Sequence, residues 1–260
     1  MSFDGQAAWR HVETLVGLGN RCPGSPGHGA ARTFISHHLA ACGWTVEVQS
    51  FRAGPLLHAA DMANVIARRK ASGPLVLGTH YDTIRLRGRT FVGANDGGSG
   101  VGVLLEMARI LPSDTPVALV FFDGEEALSG EEDGVGLYGS RRYVREYPQA
   151  ATAVIIDMVG DPALRLCREA HSTPWLQNRI EQAAPGLMTG PPLALLDDHI
   201  PFLEAGIPAA LLVDFGDGEG PGDYWHTERD TLDHVSVSSL QAVGNLLVNL
   251  VPLFAEVSHG

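Results

Sequence analysis

The stretch VALVFFDGEE, Val117–Glu126, passes from an apolar run directly into an acidic turn. A continuous apolar run such as Val117–Phe122 predicts a strand that is covered on both faces of a sheet. The adjacent glutamates Glu125 and Glu126 would repel each other if both were buried without a counterion. The stretch therefore predicts a buried strand whose carboxyl end carries two carboxylates, and a bound metal would relieve their repulsion.

The same pattern, an apolar run with polar residues at its end, recurs on either side of this stretch. Leu75–His80 ends in a histidine, and Asp82 follows two residues later. Further along, Ala153–Met158 holds Asp157 near its end. Because ligands of open α/β sheets bind outside the carboxyl ends of the strands, we expect these polar side chains to gather in one crevice.

Helical and strand patterns alternate along the chain, which favours one mostly parallel sheet with helices on both faces. The predicted helices are Ala7–Leu18, Ala30–Ala41, Ser99–Leu111, Ser140–Glu146, Pro174–Ala184, Ile200–Ala205 and Val237–Val257. The predicted strands are Trp44–Phe51, Ala63–Ala67, Leu75–His80, Val117–Phe122, Ala153–Met158 and Ala209–Val213. No repeat, low-complexity tract or linker interrupts the pattern, so we predict a single α/β domain over residues 1–260.

Composition and charge exclude several classes of partner. Apolar residues make up 45% of the 260 residues and charged residues 18%, which is enough for a large buried core. The formal net charge is −12. Nucleic acids and anionic membranes require a basic surface, so we expect neither as a partner.

The cysteines and the amino terminus bear on the compartment. Cys22, Cys42 and Cys167 are far apart and form no CxxC pair, which favours reduced thiols. The first residues, MSFDGQAAWRHVETL, lack a basic segment followed by an apolar one. No apolar run approaches the about 20 residues of a membrane span. We therefore expect a cytoplasmic protein.

Three residues have the types and surroundings of zinc ligands. Asp96, in FVGANDGGSG, stands among glycines that permit close approach of the backbone, and His226, in DYWHTERDT, follows a glycine-rich loop. Catalytic zinc usually has three nitrogen or oxygen ligands from the protein and one open position. Asp96, Glu126 and His226 meet that count. Glu125 then remains beside the metal as an acid/base.

A second metal is the open alternative. His80 and Asp157 would complete it, with Asp96 shared between the two ions. Asp82 would then accept the second N–H of the His80 imidazole and fix its tautomer. Without a metal, His80 is a histidine that only ends its strand. The motifs HExxH and GxSxG are both absent, which removes the zincin and serine-hydrolase interpretations.

The ordered motifs CPGSPG, HYDT, FVGAND, FFDGEEA, LYGSRRYV, IIDMVGD, DDHIPFL and YWHT cover nearly the whole chain. Together they resemble metallopeptidase family twenty-eight, the zinc aminopeptidases and their relatives, the animal-type glutaminyl cyclases. The resemblance implies a single α/β domain with a mixed twisted sheet. It also implies zinc as the cofactor and peptide or protein N-termini as the substrates.

The two branches of that family share all five ligand-type positions. In the aminopeptidases, two zinc ions are held at the positions matching His80, Asp96, Glu126, Asp157 and His226. In the cyclases, one zinc ion is held at the positions matching Asp96, Glu126 and His226. There the resemblance places Asp157 and Asp197 in a carboxylate network with Glu125. We expect one zinc ion, with two as the alternative.

Three features favour the cyclase branch: the doubled acid of DDHIPF, the stretch LYGSRRYV, and Trp225 directly before His226. Against them, the pocket tryptophan that cyclases carry soon after the paired glutamates has no counterpart in Leu128–Leu137. The expected reaction converts N-terminal glutamine to pyroglutamate and releases ammonia, with Trp225 packed against the glutamine side chain. A two-zinc aminopeptidase and an inactive binding module of the same fold are the alternatives. The intact Glu125 argues against the inactive module.

Overall fold

The computed structural model describes residues 2–55, 59–69, 75–86, 88–126, 128, 136–216 and 222–255. Its strands form a sheet of six in the order β1-β2-β4-β3-β5-β6. They are β1 (Thr45–Ala53), β2 (Ala60–Arg68), β3 (Leu75–His80), β4 (Val117–Phe122), β5 (Thr152–Asp157) and β6 (Ala209–Val213). The helices are α1 (Gly5–Gly17), α2 (Pro26–Ala41), α3 (Gly98–Ile110), α4 (Tyr138–Glu146), α5 (Pro174–Ala183), α6 (Ile200–Glu204), α7 (Val237–Leu250) and α8 (Pro252–Ala255).

The sheet is mixed and mostly parallel, which confirms the predicted fold class. Four neighbouring strands are parallel to one another, in the order β4, β3, β5 and β6. On the β4 side, β2 pairs antiparallel with β4, and β1 pairs antiparallel with β2. The chain leaves β3 towards β4 on one side and returns to pair β5 on the other. The carboxyl end of β3 is therefore a switch point, the place where α/β sheets bind their ligands.

Helices cover both faces of the sheet and bury the four parallel strands. One face packs against α1, α2, α3, α5 and α7, through apolar residues such as Val12, Leu104 and Leu247. The other face packs against α4 and α6, where Phe122, Tyr143 and Phe202 form an aromatic cluster. Burial on both sides explains why the parallel strands are continuous apolar runs in the sequence.

Two predicted helices differ from the structure by more than two residues at one end. The second helix starts at Pro26 rather than Ala30, because the Ser25 side chain caps it and proline suits the first helical position. The last predicted helix, Val237–Val257, is divided: α7 ends at Leu250, and Pro252 starts the short α8. Residues 256 and 257 lie outside the described part of the chain.

By length and composition alone, residues 237–254 would suffice to cross a membrane. Half of this stretch is buried within the fold, where α7 packs against α1, α3 and α5. The core helix of a globular domain meets the same criteria, so the stretch does not indicate a membrane partner.

Candidate metal centre

The parallel register brings the polar ends of three neighbouring strands together. His80, the last residue of β3, pairs with Phe122 at the end of β4, and Asp157 ends β5 on the other side. As a result, His80 Nε2 lies 3.1 Å from Asp157 Oδ1. Asp96 reaches the same point from the loop before α3, with its Oδ1 at 3.2 Å from His80 Nε2.

Asp96, Glu126 and His226 form a first candidate metal cluster. His226 Nε2 lies 3.3 Å from Asp96 Oδ2 and 3.4 Å from Glu126 Oε1. One nitrogen or oxygen from each of the three residues falls within 4.8 Å of the other two. We name this set the pocket cluster, because it opens into the cavity described below.

His80, Asp96 and Asp157 form a second candidate cluster by the same criterion. Asp96 belongs to both, and its two oxygens face opposite ways, Oδ1 towards His80 and Oδ2 towards His226. We name this set the buried cluster, because the His80 side chain is only 2% exposed. The five ligand-type residues that the sequence singled out are thus brought together around one shared carboxylate.

The donor atoms of the pocket cluster fit zinc. They offer one imidazole nitrogen and carboxylate oxygens, the set that zinc accepts in catalytic sites. Among the described residues, the buried Glu126 Oε1 has no hydrogen-bond partner. A buried carboxylate oxygen left in this way costs free energy unless a cation or a proton satisfies it.

Protonation in the metal-free site follows from burial and mutual charge. Burial and then the charge of Asp96 raise the pKa of Glu126 to about 7. Burial lowers the pKa of His226, but Asp96 and Glu126 outweigh it and raise that pKa to about 10. Metal ligands bind deprotonated, so zinc binding here would release these protons.

A cavity of about 320 Å³ opens beside the pocket cluster. Trp225 stacks on the His226 ring at a centroid distance of 4.1 Å and meets Phe215 edge-on at 5.5 Å. These rings form an apolar wall opposite a set of carboxylates. The residues that line the cavity are Ile84, Asp96, Glu125, Glu126, Gly136, Asp157, Met158, Leu195, Leu196, Asp197, Phe215, Trp225 and His226.

Glu125 lines this cavity next to Glu126 but does not belong to either metal cluster. Burial raises the pKa of its carboxyl well above the ordinary value; His80 opposes this, and Glu126 and Asp197 add to it. A carboxyl with a raised pKa beside a metal is suited to take up and return a proton near neutral pH.

Asp197 also faces the cavity and is 5% exposed. Burial, followed by the charge of Asp157, raises the pKa of its carboxyl to about 7. Its Oδ1 accepts from the N–H of Asp198, and no side chain caps α6. Asp197 could instead cap the start of α6, but among the described residues no hydrogen bond links its side chain to that helix.

Asp82 connects the β3 segment to the turn that carries the glutamates. Its two oxygens accept from the main-chain N–H groups of Glu125 at 3.2 Å and Glu126 at 3.3 Å. Asp82 Oδ1 also lies 3.6 Å from His80 Nδ1, which is longer than a hydrogen bond. Asp82 therefore holds the turn of Glu125 and Glu126 by hydrogen bonds, whereas it makes none with His80, the partner that the sequence predicted.

The sequence did not single out three buried residues that shape this site. Asp230 accepts from the N–H groups of Asn95 at 2.8 Å and Asp96 at 3.0 Å, and so joins the His226 segment to the Asp96 loop. Glu169 accepts from His199 Nε2 at 3.0 Å and from the N–H of Leu195, on either side of Asp197.

The third residue, Arg21, binds backbone carbonyls at the site and is described further below. For Asp230, a signal existed in the acids of HTERD directly after His226. For Arg21 and Glu169 we find no local signal.

Backbone conformation also marks the site. His226 and Met158 adopt left-handed φ values of 51° and 46°, which residues other than glycine rarely do. Gly97 has a φ of 71°, and a Cβ there would lie 2.8 Å from His80 Cε1. Strained residues of this kind cluster at functional sites because the surrounding structure holds them in place.

The chain matches a known protein family over most of its length. Residues 64–251 match the family model for peptidase family M28. A solved glutaminyl cyclase from an Acidobacteriales bacterium is 36% identical, with a TM-score of 0.89 over 99% of this chain and 96% of that one. A Zn-dependent exopeptidase from Parabacteroides distasonis shares the fold with a TM-score of 0.87 at 22% identity, over 96% and 98%.

Two curated relatives represent both branches. The glutaminyl-peptide cyclotransferase-like protein of Bos taurus is 30% identical over 81% of this chain and 66% of its own length. Aminopeptidase YwaD of Bacillus subtilis is 32% identical over 66% of this chain, but only 39% of its own length. The chain therefore spans less than the full length of either relative. The matched family implies zinc as the metal.

Proposed function

The chain belongs to peptidase family M28, and from that premise we propose that it is a zinc-dependent glutaminyl-peptide cyclotransferase. The observation that carries the proposal is the cavity, which joins the pocket cluster, Glu125 and Asp197 to a wall of aromatic rings. Its volume of about 320 Å³ suits one amino-acid side chain better than a long peptide segment. The similarity to solved and curated glutaminyl cyclases supports the same reaction.

In this reaction the α-amine of an N-terminal glutamine attacks the carbonyl carbon of its own side chain. The new C–N bond closes the ring, and the bond to the amide nitrogen breaks to release ammonia. Zinc held by Asp96, Glu126 and His226 would polarise the side-chain carbonyl and stabilise the negative charge on its oxygen. No water molecule is consumed.

The proton transfer falls to Glu125. Its carboxylate accepts a proton as the amine attacks, and the same carboxyl returns it to the departing nitrogen. Because burial raises its pKa well above the ordinary value, the group can be both base and acid near neutral pH. Asp82 holds the main-chain N–H of Glu125 and thereby fixes where the carboxyl stands.

The remaining cavity residues would bind and orient the substrate. Trp225 and Phe215 offer apolar faces to the methylene groups of the glutamine. Asp157 and Asp197 lie in the same wall, and burial raises the pKa of Asp197 to about 7, so that its carboxyl can exchange a proton near neutral pH. We assign them to holding the α-amine in reach of the carbonyl.

A two-zinc aminopeptidase is the second candidate, and the buried cluster is the observation that favours it. If His80 and Asp157 held a second ion, Glu125 would deprotonate a water molecule and the peptide bond would be hydrolysed. The two proposals share Asp96, Glu126, His226 and Glu125, and they differ in the number of metal ions and in the nucleophile.

The test combines metal content with two matched peptides. Purified protein is dialysed against metal-free buffer, its zinc is counted, and it is given a peptide starting with glutamine and the same peptide starting with leucine. A cyclase releases ammonia from the first and leaves the second intact, with one zinc ion bound. Release of free leucine with two zinc ions bound would establish the aminopeptidase instead.

A further inference from the structure

Arg21 is buried beside the site, in the segment between α1 and α2. The residue is 0% exposed, which is unusual for arginine. Its guanidinium donates to three backbone carbonyls: Nε to Tyr81 at 2.8 Å, Nη1 to Val92 at 2.5 Å and Nη2 to Gly93 at 2.9 Å. Burying a cation costs free energy that its hydrogen bonds must offset.

The three carbonyls belong to two segments that each carry candidate metal ligands. Tyr81 stands directly between His80 and Asp82, whereas Val92 and Gly93 begin the loop that leads to Asp96. The main-chain N–H of Arg21 adds a hydrogen bond to Thr83 Oγ1 at 3.0 Å. A single side chain therefore sets the spacing between the His80 segment and the Asp96 loop.

The geometry of this contact depends on the planar fork of arginine. An ammonium group is a point charge on a flexible stem and cannot present three donors in one fixed plane. Space at the acceptor is also limited: Gly93 has a φ of 49°, and a Cβ there would lie 3.2 Å from Arg21 Nη2.

The charge of Arg21 lies near three buried carboxylates of the site. Burial lowers the pKa of its guanidinium to about 10, and Asp230, Asp96 and Asp82 partly oppose that shift. The group remains a cation at neutral pH. Two effects of opposite sign follow: the fork holds the ligand segments in place, whereas the positive charge repels an incoming metal ion.

We propose that Arg21 is a positioning residue for metal binding. It fixes the Tyr81–Asp82 segment, whose Asp82 accepts from the N–H of Glu126, at a set distance from the Asp96 loop before the metal arrives. The proposal rests on the zinc site proposed above, but not on which reaction follows. It requires that the positioning effect of the fork outweighs the repulsion by its charge.

Arg69 provides a matched control at the opposite end of the sheet. It follows the last residue of β2 and also donates to three backbone carbonyls, those of Leu111, Pro112 and Cys42. None of these residues belongs to the candidate site. Replacing Arg69 should therefore lower stability by leaving backbone carbonyls without a donor, as replacing Arg21 does, but it should not move the metal ligands.

The experiment measures the zinc affinity of metal-free protein by competition with a chromophoric chelator, together with its melting temperature. Arg21→Lys and Arg21→Met should each weaken zinc binding about 10- to 100-fold, the range seen when groups that orient metal ligands are lost. Arg69→Lys and Arg69→Met should lower the melting temperature and leave zinc affinity unchanged.

Two results would overturn the proposal. Wild-type zinc affinity in Arg21→Lys would show that charge alone suffices, and tighter binding in Arg21→Met would show that repulsion dominates. Arg21→Lys decides the matter if Arg21→Met does not fold. A wild-type protein that binds zinc but releases no ammonia from glutamine peptides contradicts the proposed function and leaves this test intact.

Discussion

The buried cluster and the pocket cluster share Asp96 but differ in how much of their bonding capacity is already used. In the buried cluster, His80 is 2% exposed and its Nε2 is hydrogen-bonded to Asp157 at 3.1 Å. In the pocket cluster, the His226 side chain is 18% exposed. Its Glu126 Oε1 has no hydrogen-bond partner among the described residues.

This difference suggests different roles for the two clusters: the pocket cluster binds the metal, and the buried cluster holds its residues in place. In the pocket cluster a cation must displace the proton of His226, but that ring faces the cavity and Glu126 Oε1 beside it is held by no hydrogen bond among the described residues. The His80–Asp157 hydrogen bond must first be broken and its proton released. We therefore expect the pocket cluster to bind zinc first, with the buried cluster as a hydrogen-bonded layer behind it.

The largest effect is expected when single candidate ligands are removed: Asp96 from both clusters, His226 from the pocket cluster and His80 from the buried cluster. Asp96→Ala and His226→Ala should lose nearly all zinc on dialysis, because each removes one of three ligands. His80→Ala should retain most of it, since its partner in the structure is Asp157. Elemental analysis gives the answer. Equal loss of two zinc ions per chain in all three variants would mean that the clusters act as one site.

The next largest effect is expected at Glu125, which faces the cavity without being a ligand. Glu125→Gln should keep zinc and fold normally but lower turnover by about 10² or more, the usual scale for loss of an acid/base. Steady-state ammonia release and zinc content are measured on the same preparation. Glu126→Gln is the control and should lose the metal. The reverse pattern would exchange the roles of the two glutamates.

A smaller effect is expected at Asp197, in the cavity wall. Asp197→Asn should retain zinc and the fold but lower turnover about tenfold or more, since the amide cannot carry or exchange the proton. Asp197→Ala should show a similar loss. Full activity in the Asn variant, measured by ammonia release, would remove Asp197 from the reaction and weaken the case for the cyclase.

The smallest expected effect is on stability against pH. Burial raises the pKa of Asp197 to about 7, so the folded chain keeps a proton that the unfolded chain loses at lower pH. The folded state then binds more protons between about pH 4 and 7, and stability falls as the pH rises through that window. In metal-free protein, melting temperature should fall less steeply with pH in Asp197→Asn. Parallel curves would show that Asp197 does not titrate in this range.

Much of the site can be predicted from the sequence because its signals are local. Each parallel strand is an apolar run, and His80 and Asp157 stand at the ends of such runs. Asp96 and Glu126 likewise occur in short motifs with a recognisable pattern. Residue types and strand ends sufficed to name the ligand candidates, and the family match confirms the enzyme class.

Local signals failed where a residue acts through contacts with distant parts of the chain. The prediction starts the second helix at Ala30, although Ser25 and Pro26 carry a local helix-start signal. Arg21 and Glu169 carried none, since their hydrogen-bond partners are fixed only when the loops meet.

Strand pattern, family and candidate ligands can be inferred from the amino-acid sequence, because they depend on residues that are neighbours in the chain. By contrast, the sharing of Asp96 between His80 and His226 depends on tertiary contacts, since the two histidines lie far apart in the sequence. So does the hold of Asp82 on the glutamate turn. Such contacts depend on the register of β3, β4 and β5, and no short stretch of sequence contains that register.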